Sequence, residues 1–522
     1  MSAPSRRAVL SAGTAGLLGV GAASALAACS TPGSRSASGG TGGSTASSAD
    51  LIGPHSHEVL AAERSRPTTG RLVTRTLTAA ATTIDLAGTR ASTSAFNGSV
   101  PAEPIRATVG DQLRVDVHNR LSVPTTVHWH GLALRNDMDG VPGLIMPAIE
   151  PREQFRYQFT LPHPGTYWFH PHVGVQLDTG LLGALVIEDP HEPLDYDEEH
   201  VLVLDDWTDG IGTTPDQVLD DLRRKGMGSM SGMSSSGGGM GGMSTSGMGV
   251  SATDPLGKDA GDVRYPFHLV NGRPAKDPAT LTAKPGQKLR LRVVNAGSDT
   301  AYRFAVAGHR LTVVAADGYP VQPVEADTLV LGMGERYDVL VTATDGAHAV
   351  VALPEGKPDA PALAVLRVGD GPARTPAPRA RALTGRLLSY ADLRPTRAVA
   401  LSAATPDQTL DVDLQMKDGG RQWVINGAPY ADTTPLQVHP GERIRLRLRN
   451  ASMMFHPMHL HGHTFALVRD GRPGVRKDTV NVLPMQQLEV DLVADNPGQW
   501  LLHCHNAYHG ELGMMTTMSY VR

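Results

Sequence analysis

The chain has 522 residues, too many for one ordinary hydrophobic core, so two or three domains are expected. Its 57 glycines and 38 prolines, set against a charged fraction of 19%, favour an all-β protein of many short strands. A formal net charge of −5 gives no case for binding nucleic acid or an anionic membrane surface.

Arg6-Arg7 opens an apolar stretch from Ala8 to Ala28 that is rich in Ala and Gly. The stretch is long enough to span a bilayer, yet its low hydrophobicity and the run Leu26-Ala27-Ala28-Cys29 argue for an export signal over residues 1–29. That run resembles a bacterial lipobox, which implies cleavage before Cys29 and a lipid on its thiol that holds the protein to a membrane. A soluble secreted form is the alternative. The paired arginines resemble the twin-arginine signal for transport of folded proteins, so an extracytoplasmic, lipid-anchored location is expected. Residues 30–67 follow as a flexible tether and N-terminal segment, with almost nothing apolar up to Asp50. His55 and His57 form an H-x-H pair there without a flanking strand pattern and stay outside the candidate site.

From about residue 68 an internal repeat organises the chain. Asn97-Gly98, Asn271-Gly272 and Asn426-Gly427 each start a segment that reaches a second glycine, Gly110, Gly286 or Gly441. Nine residues after each of these stands an asparagine: Asn119, Asn295 and Asn450. Asn-Gly and the later Gly are turn residues, and alternating runs such as Leu113-Arg114-Val115 and Leu289-Arg290-Leu291 read as half-buried strands. Three copies of one unit predict three similar β-sandwich domains, over residues 68–190, 198–375 and 384–522. The stretch Pro372 to Arg386, dense in Pro, Ala and Arg, reads as the linker between the second and third. Residues 227–248 interrupt the second domain with Met227, Met230, Met233, Met240, Met243 and Met248 amid Gly and Ser. Thioether sulfur is soft and prefers Cu(I), which sets a cuprous role for this insertion against compositional accident.

The first domain carries His128-Trp129-His130 and His170-Pro171-His172. The second has no H-x-H motif and reads as a structural spacer. The third carries His456-Pro457-Met458-His459-Leu460-His461 and, near the C-terminus, His503-Cys504-His505 with His509 and Met514 beyond. On a strand, alternation sends Cys504 to one face and His503 and His505 to the other. A Cys thiolate, two His and a long axial Met make the ligand set of a blue-copper site, and a loop would return His509 and Met514 to the sulfur. With Cys504 so engaged and Cys29 in the leader, no disulfide is expected.

Together these motifs resemble those of the multicopper oxidases (laccases, cuprous oxidases, ascorbate oxidase, bilirubin oxidase) over roughly residues 68–522. The resemblance implies three consecutive cupredoxin-like Greek-key sandwiches and four copper ions. His456, Cys504, His509 and Met514 would hold the type 1 ion, and His128 and His459 the type 2 ion. His130, His170, His172, His461, His503 and His505 would hold the type 3 pair. The cluster would then lie between the first and third domains, each giving four imidazoles. A reductant would give single electrons to the type 1 centre, Cys504 would pass them on, and O2 would be reduced to two waters at the cluster. Asp139, in Asp137-Met138-Asp139-Gly140, matches an acid that supplies protons near the cluster in similar bacterial enzymes; a turn aspartate is the alternative. Relatives often carry an acid directly after the second type 1 histidine. Here Gly510 holds that place and Glu511 follows, so its role stays open. Two electron donors fit. One is Cu(I), oxidised for copper detoxification, which the methionine insertion and Met453-Met454 ahead of His456 suggest. The other is a phenol or aromatic amine, as in laccases. A monomer without nucleic-acid partners is expected.

Overall fold

The computed structural model describes residues 50–226, 254–369 and 383–522. The export signal, the tether up to residue 49, the methionine run 227–248 and residues 370–382 lie outside them.

The repeated asparagines explain the repeat. In each Asn-Gly pair the asparagine side chain bonds the backbone of a neighbouring strand at two residues: Asn97 to Thr78 and Thr76, Asn271 to Val203 and Val201, Asn426 to Asp413 and Asp411. The later asparagine ends the next strand, in Gln112–Asn119, Lys288–Asn295 and Arg443–Asn450. Its Oδ1 accepts the backbone N–H two residues on, at Leu121, Gly297 or Ser452, and its Nδ2 donates to carbonyls of the following loop and a facing segment. These side chains satisfy backbone groups where the ladder stops, so the same residue type recurs at the same place.

The result is all-β, three sandwiches in sequence. The first packs the sheet Thr89–Phe96, Leu72–Leu86, Gln112–Asn119, Gln154–Thr160 against the sheet Ala102–Thr108, Gly183–Glu188, Gly165–His170, His128–His130. The second has sheets of seven and five strands. The third pairs a six-stranded sheet with a five-stranded one ordered Leu436–Val438, Met515–Tyr520, Gln499–Cys504, His456–Leu460, Thr479–Val482.

Two expectations change. The strand Lys288–Asn295 is not half-buried: Arg290 and Arg292 are 3% and 2% exposed. They are covered because this strand faces the first sandwich, where Arg292 meets Thr166 Oγ1 at 2.9 Å and both guanidinia share Asp338. The polar segment around His55 is not irregular either; His57–Ser65 is a helix capped by Ser56. Leu51 bridges Val521, Gln499 Nε2 donates to Ile52 O, and Glu63 accepts the Thr160 N–H. The N-terminal segment therefore ties the third sandwich to the first through protein contacts alone. At the linker's end, Arg386 is bonded to Asp327 and to Glu325 O of the second sandwich.

All three units meet at Arg336. Its guanidinium pairs with both oxygens of Asp478 in the third sandwich at 2.7 Å and donates to Thr166 O in the first at 3.1 Å. Lys477 alongside pairs with Asp317 and Glu335 at 3.0 Å, and all five charged side chains are inaccessible to water. Removing one member of such a pair strands a buried charge. Arg336→Met should therefore destabilise the protein by about 3–5 kcal/mol, read as a lower guanidinium midpoint, whereas removing an exposed pair such as Arg156–Asp116 should leave the midpoint nearly unchanged.

Candidate metal centres

Strand pairing assembles the histidines. In the first sandwich His128 sits opposite His170 and His130 opposite Trp168. In the third, His459 sits opposite His503 and Met458 opposite Cys504. The two sheets then bring ring against ring: His128 stacks on His461 at 3.8 Å between centroids and His130 on His459 at 3.7 Å. His172 meets His461 and His503, and His505 meets His130 and His170. The eight histidines predicted for one cluster thus form one continuous set across the two outer units.

Most of these rings are anchored through one nitrogen and leave the other facing inward. Nδ1 of His128, His170, His459 and His503 donates to the carbonyls of Asp139, Pro171, Asp478 and Cys504 at 2.8–2.9 Å. His130 is held the other way, its Nε2 against Asp478 Oδ1 at 3.1 Å. The remaining nitrogens, Nε2 of His128, His170 and His459, Nδ1 of His130 and both of His505, are buried without a hydrogen-bond partner. Burial first, and then the neighbouring imidazoles, hold His130, His170, His172, His461, His503 and His505 well below the ordinary histidine pKa. They are neutral rings with lone pairs aimed at one another, the state a metal needs and an apolar core does not tolerate. The donor set fits a multinuclear metal site.

Cys504 turns to the opposite side. Its Sγ lies 3.7 Å from His456 Nδ1 and 3.6 Å from His509 Nδ1, and these two nitrogens are 3.2 Å apart. A short helix, Ala507–Glu511, returns His509 to the sulfur in place of the expected loop, capped by Asn506 Oδ1 accepting from Tyr508 and His509 N–H. Met514 is fully buried, and its carbonyl accepts the Cys504 N–H at 3.0 Å. The far nitrogens are tied too, His456 Nε2 to Ser452 Oγ at 2.8 Å and His509 Nε2 to Asp262 Oδ2 at 2.9 Å. Burial works against a charge on His509, but Asp262 and Cys504 lift its pKa to about 10. The pocket thus favours positive charge between its donors. Trp423 covers both rings, at 4.9 Å from His456 and 4.3 Å from His509.

Asp139 is fully buried, its Oδ2 2.8 Å from His461 Nδ1 and its Oδ1 3.2 Å from His128 Nδ1. Glu511 borders a small pocket that also touches His170, His172, His503 and His505, and burial raises its pKa. Met454 is 2% exposed and packs in the core, while Met453 beside it is 45% exposed. Sequence reading missed Asp478, Asp262, Trp423 and Trp168, the last 4.4 Å from His170 and 5.1 Å from His130. It also undervalued the second sandwich, whose Arg336, Gly334 and Asp262 all reach the two centres. Lys477-Asp478, flanked by Arg476 and Thr479, reads like an exposed polar stretch, and nothing local marks Asp262.

Sequence models described as "Multicopper oxidase" match residues 78–192, 198–370 and 404–521. The chain is 46% identical to multicopper oxidase MmcO of Mycobacterium tuberculosis, over 97% of this chain and 96% of that one. It is 29% identical to copper resistance protein A of Pseudomonas syringae pv. tomato, over 83% and 90%. The crystal structure of the laccase from Botrytis aclada superposes with a TM-score of 0.71 at 26% identity, covering 88% of this chain and 89% of the laccase.

Gly334, with φ +86°, brings second-sandwich backbone against the histidine set; an added Cβ would lie 2.9 Å from His130 Cε1 and 3.0 Å from His505 Cδ2. Gly334→Ala should push these rings apart and weaken metal binding at the eight-histidine set about tenfold or more, measured by competitive chelator titration, with the Cys504 site retained.

Proposed function

Because the chain belongs to the multicopper oxidase family, oxidoreductases that use O2, we propose that it holds four copper ions and takes its electrons from Cu(I). In this reading His456, Cys504, His509 and Met514 hold the type 1 ion, and His128 and His459 the type 2 ion. His130, His170, His172, His461, His503 and His505 hold the type 3 pair. Copper bound in these places supplies one-electron transfer at the thiolate and four-electron reduction of O2 to two waters at the cluster. The observation that carries the reading is the set of inward-facing, unpartnered imidazole nitrogens together with the Cys504–His456–His509 triangle.

The protein's own groups support that chemistry in distinct ways. The backbone carbonyls and carboxylates behind His128, His130, His170, His459, His461 and His503 fix which nitrogen is free and keep these rings from turning. Cys504 is continuous in the backbone with His503 and His505, so the two centres share one short covalent path. Asp139 Oδ2 accepts a hydrogen bond from His461 Nδ1 at 2.8 Å, and Oδ1 is buried without a hydrogen-bond donor, the atom at which we place proton uptake and release.

Cu(I) as donor rests on what surrounds His509. The methionine run 227–248 joins two segments that both lie against the third sandwich near the Cys504 site. Before it, Arg224 O accepts from Arg421 Nε and Gly226 stands over Gly419 O. After it, Asp259 bridges Met454 and Asp262 holds His509. The exposed thioether of Met453 replaces Met454 as the better docking group. The similarity to a copper resistance protein supports the same donor. The second reading, a phenol or aromatic amine, draws on the laccase likeness and on a cleft of about 590 Å³ bordered by Gln217, Arg224, Val263 and Arg264, next to Asp262. We further propose export through the twin-arginine signal and a lipid anchor at Cys29; Cys29→Ala should then move the protein from the membrane to the soluble fraction.

Deleting residues 227–248 should lower kcat/KM for Cu(I) several-fold and leave a phenol's unchanged; equal Cu(I) turnover in the deleted protein would sink the part given to the methionine run. Cys504→Ser should abolish the blue colour of the copper-loaded protein while copper at the eight histidines stays, by metal analysis.

A further inference from the structure

Asp299, in the second sandwich, is fully buried and its carboxylate accepts four hydrogen bonds, two of them from residues that hold His509 of the third sandwich. Its Oδ1 takes the Asn506 Nδ2 at 2.6 Å and the Asp262 N–H at 3.1 Å. Its Oδ2 takes the Val263 N–H at 2.9 Å and Lys357 Nζ at 2.6 Å. Asn506 is the residue whose own oxygen caps the helix carrying His509, through the N–H groups of Tyr508 and His509. Asp262 is the residue whose carboxylate holds the far nitrogen of that histidine at 2.9 Å. One carboxylate thus governs His509 twice, from its backbone and from its ring.

The surroundings fit a built clamp. Asp206 accepts the Ser298 and Asp299 N–H groups at 2.7 and 3.1 Å, fixing the loop. Ser298 O accepts the Ala507 N–H at 2.9 Å, a further tie to the same helix. Gly261 packs close beneath this group: a Cβ there would lie 2.6 Å from Asp299 Oδ2 and 2.2 Å from Lys357 Cε. From this geometry we infer that Asp299 is the positioning residue of His509: it sets the angle and distance at which the histidine approaches Cys504, so the second sandwich tunes the thiolate centre without supplying a ligand to it.

The inference rests on the type 1 assignment of His456, Cys504, His509 and Met514. It is tested on the copper-loaded full chain with Asp299→Asn, Gly261→Ala, Asn506→Ala and the Asp299→Asn/Asn506→Ala double variant. Asp299→Asn should shift the visible band, the copper EPR hyperfine splitting and the midpoint potential of the thiolate centre. It should also weaken that centre's copper affinity about 10–100-fold, with cluster copper unchanged. Gly261→Ala, which displaces the 261–263 loop without removing a charge, should shift the same signals and serves where Asp299→Asn does not accumulate folded. The double variant should show less than the sum of the two single effects, because the helix cap is common to both changes. Unshifted band, EPR and potential in folded Asp299→Asn or Gly261→Ala, or effects that simply add in the double variant, overturn the inference. A parent protein that stays colourless with copper overturns the type 1 assignment instead.

Discussion

Arg336 and Asp478 face each other with both of their hydrogen bonds made and no exposed surface, at a place where all three sandwiches touch. A buried pair of this kind contributes little net stability over a well-packed apolar contact, but it admits one arrangement of its partners. Here that arrangement has consequences beyond itself. Asp478 holds His130 through Oδ1 and His459 through its carbonyl, and Gly334, bonded to Arg336, presses on His130 and His505. Rings from the first and third units therefore have a common reference point supplied by the second. Around it stand two cations, Arg336 and Lys477, against three carboxylates, Asp317, Glu335 and Asp478. The surplus is negative and lies under the imidazoles, where it favours bound cations.

The imidazole set itself is in tension with the fold. Buried nitrogens without partners cost free energy, and several occur within a few ångströms of one another. The carbonyls and carboxylates behind most of them keep those rings from turning to relieve it, so a bound metal relieves the cost and metal affinity becomes part of folding stability. The outer units are not held by metal alone, however. The N-terminal segment along Val521 and the helix His57–Ser65 against Thr160 join them independently. Loss of copper should leave the protein assembled, with its ring cluster less constrained.

The second sandwich contributes no histidine to either centre, and this concealed its part in both. At the cluster it acts through Arg336 and Gly334. At the thiolate centre it acts through Asp262 and Asp299, residues on the segment that follows the methionine run and on the loop after Lys288–Asn295. A unit that donates only outer partners can alter potential and affinity while the ligands stay untouched. That gives the family's common chemistry a place to differ between members.

The residues that the structure gathers into the two clusters were legible because coordination chemistry constrains residue type and local spacing. H-x-H on a strand puts two rings on one face, and His503-Cys504-His505 sends thiol and imidazoles apart; neither depends on what packs around them. The repeated asparagines were legible for a similar reason, since each serves backbone groups near in sequence. What surrounds the ligands was not legible. Asp478 meets His130 across 348 positions and Asn506 meets Asp299 across 207, and a lone aspartate looks the same in any loop. Arg290 and Arg292 looked like the solvent face of a strand until another sandwich covered them. Short-range chemistry is written in the order of residues. Which distant charge is buried against which ring is decided only when three sheets-on-sheets close on each other, because burial is a property of the assembled neighbours and not of the residue.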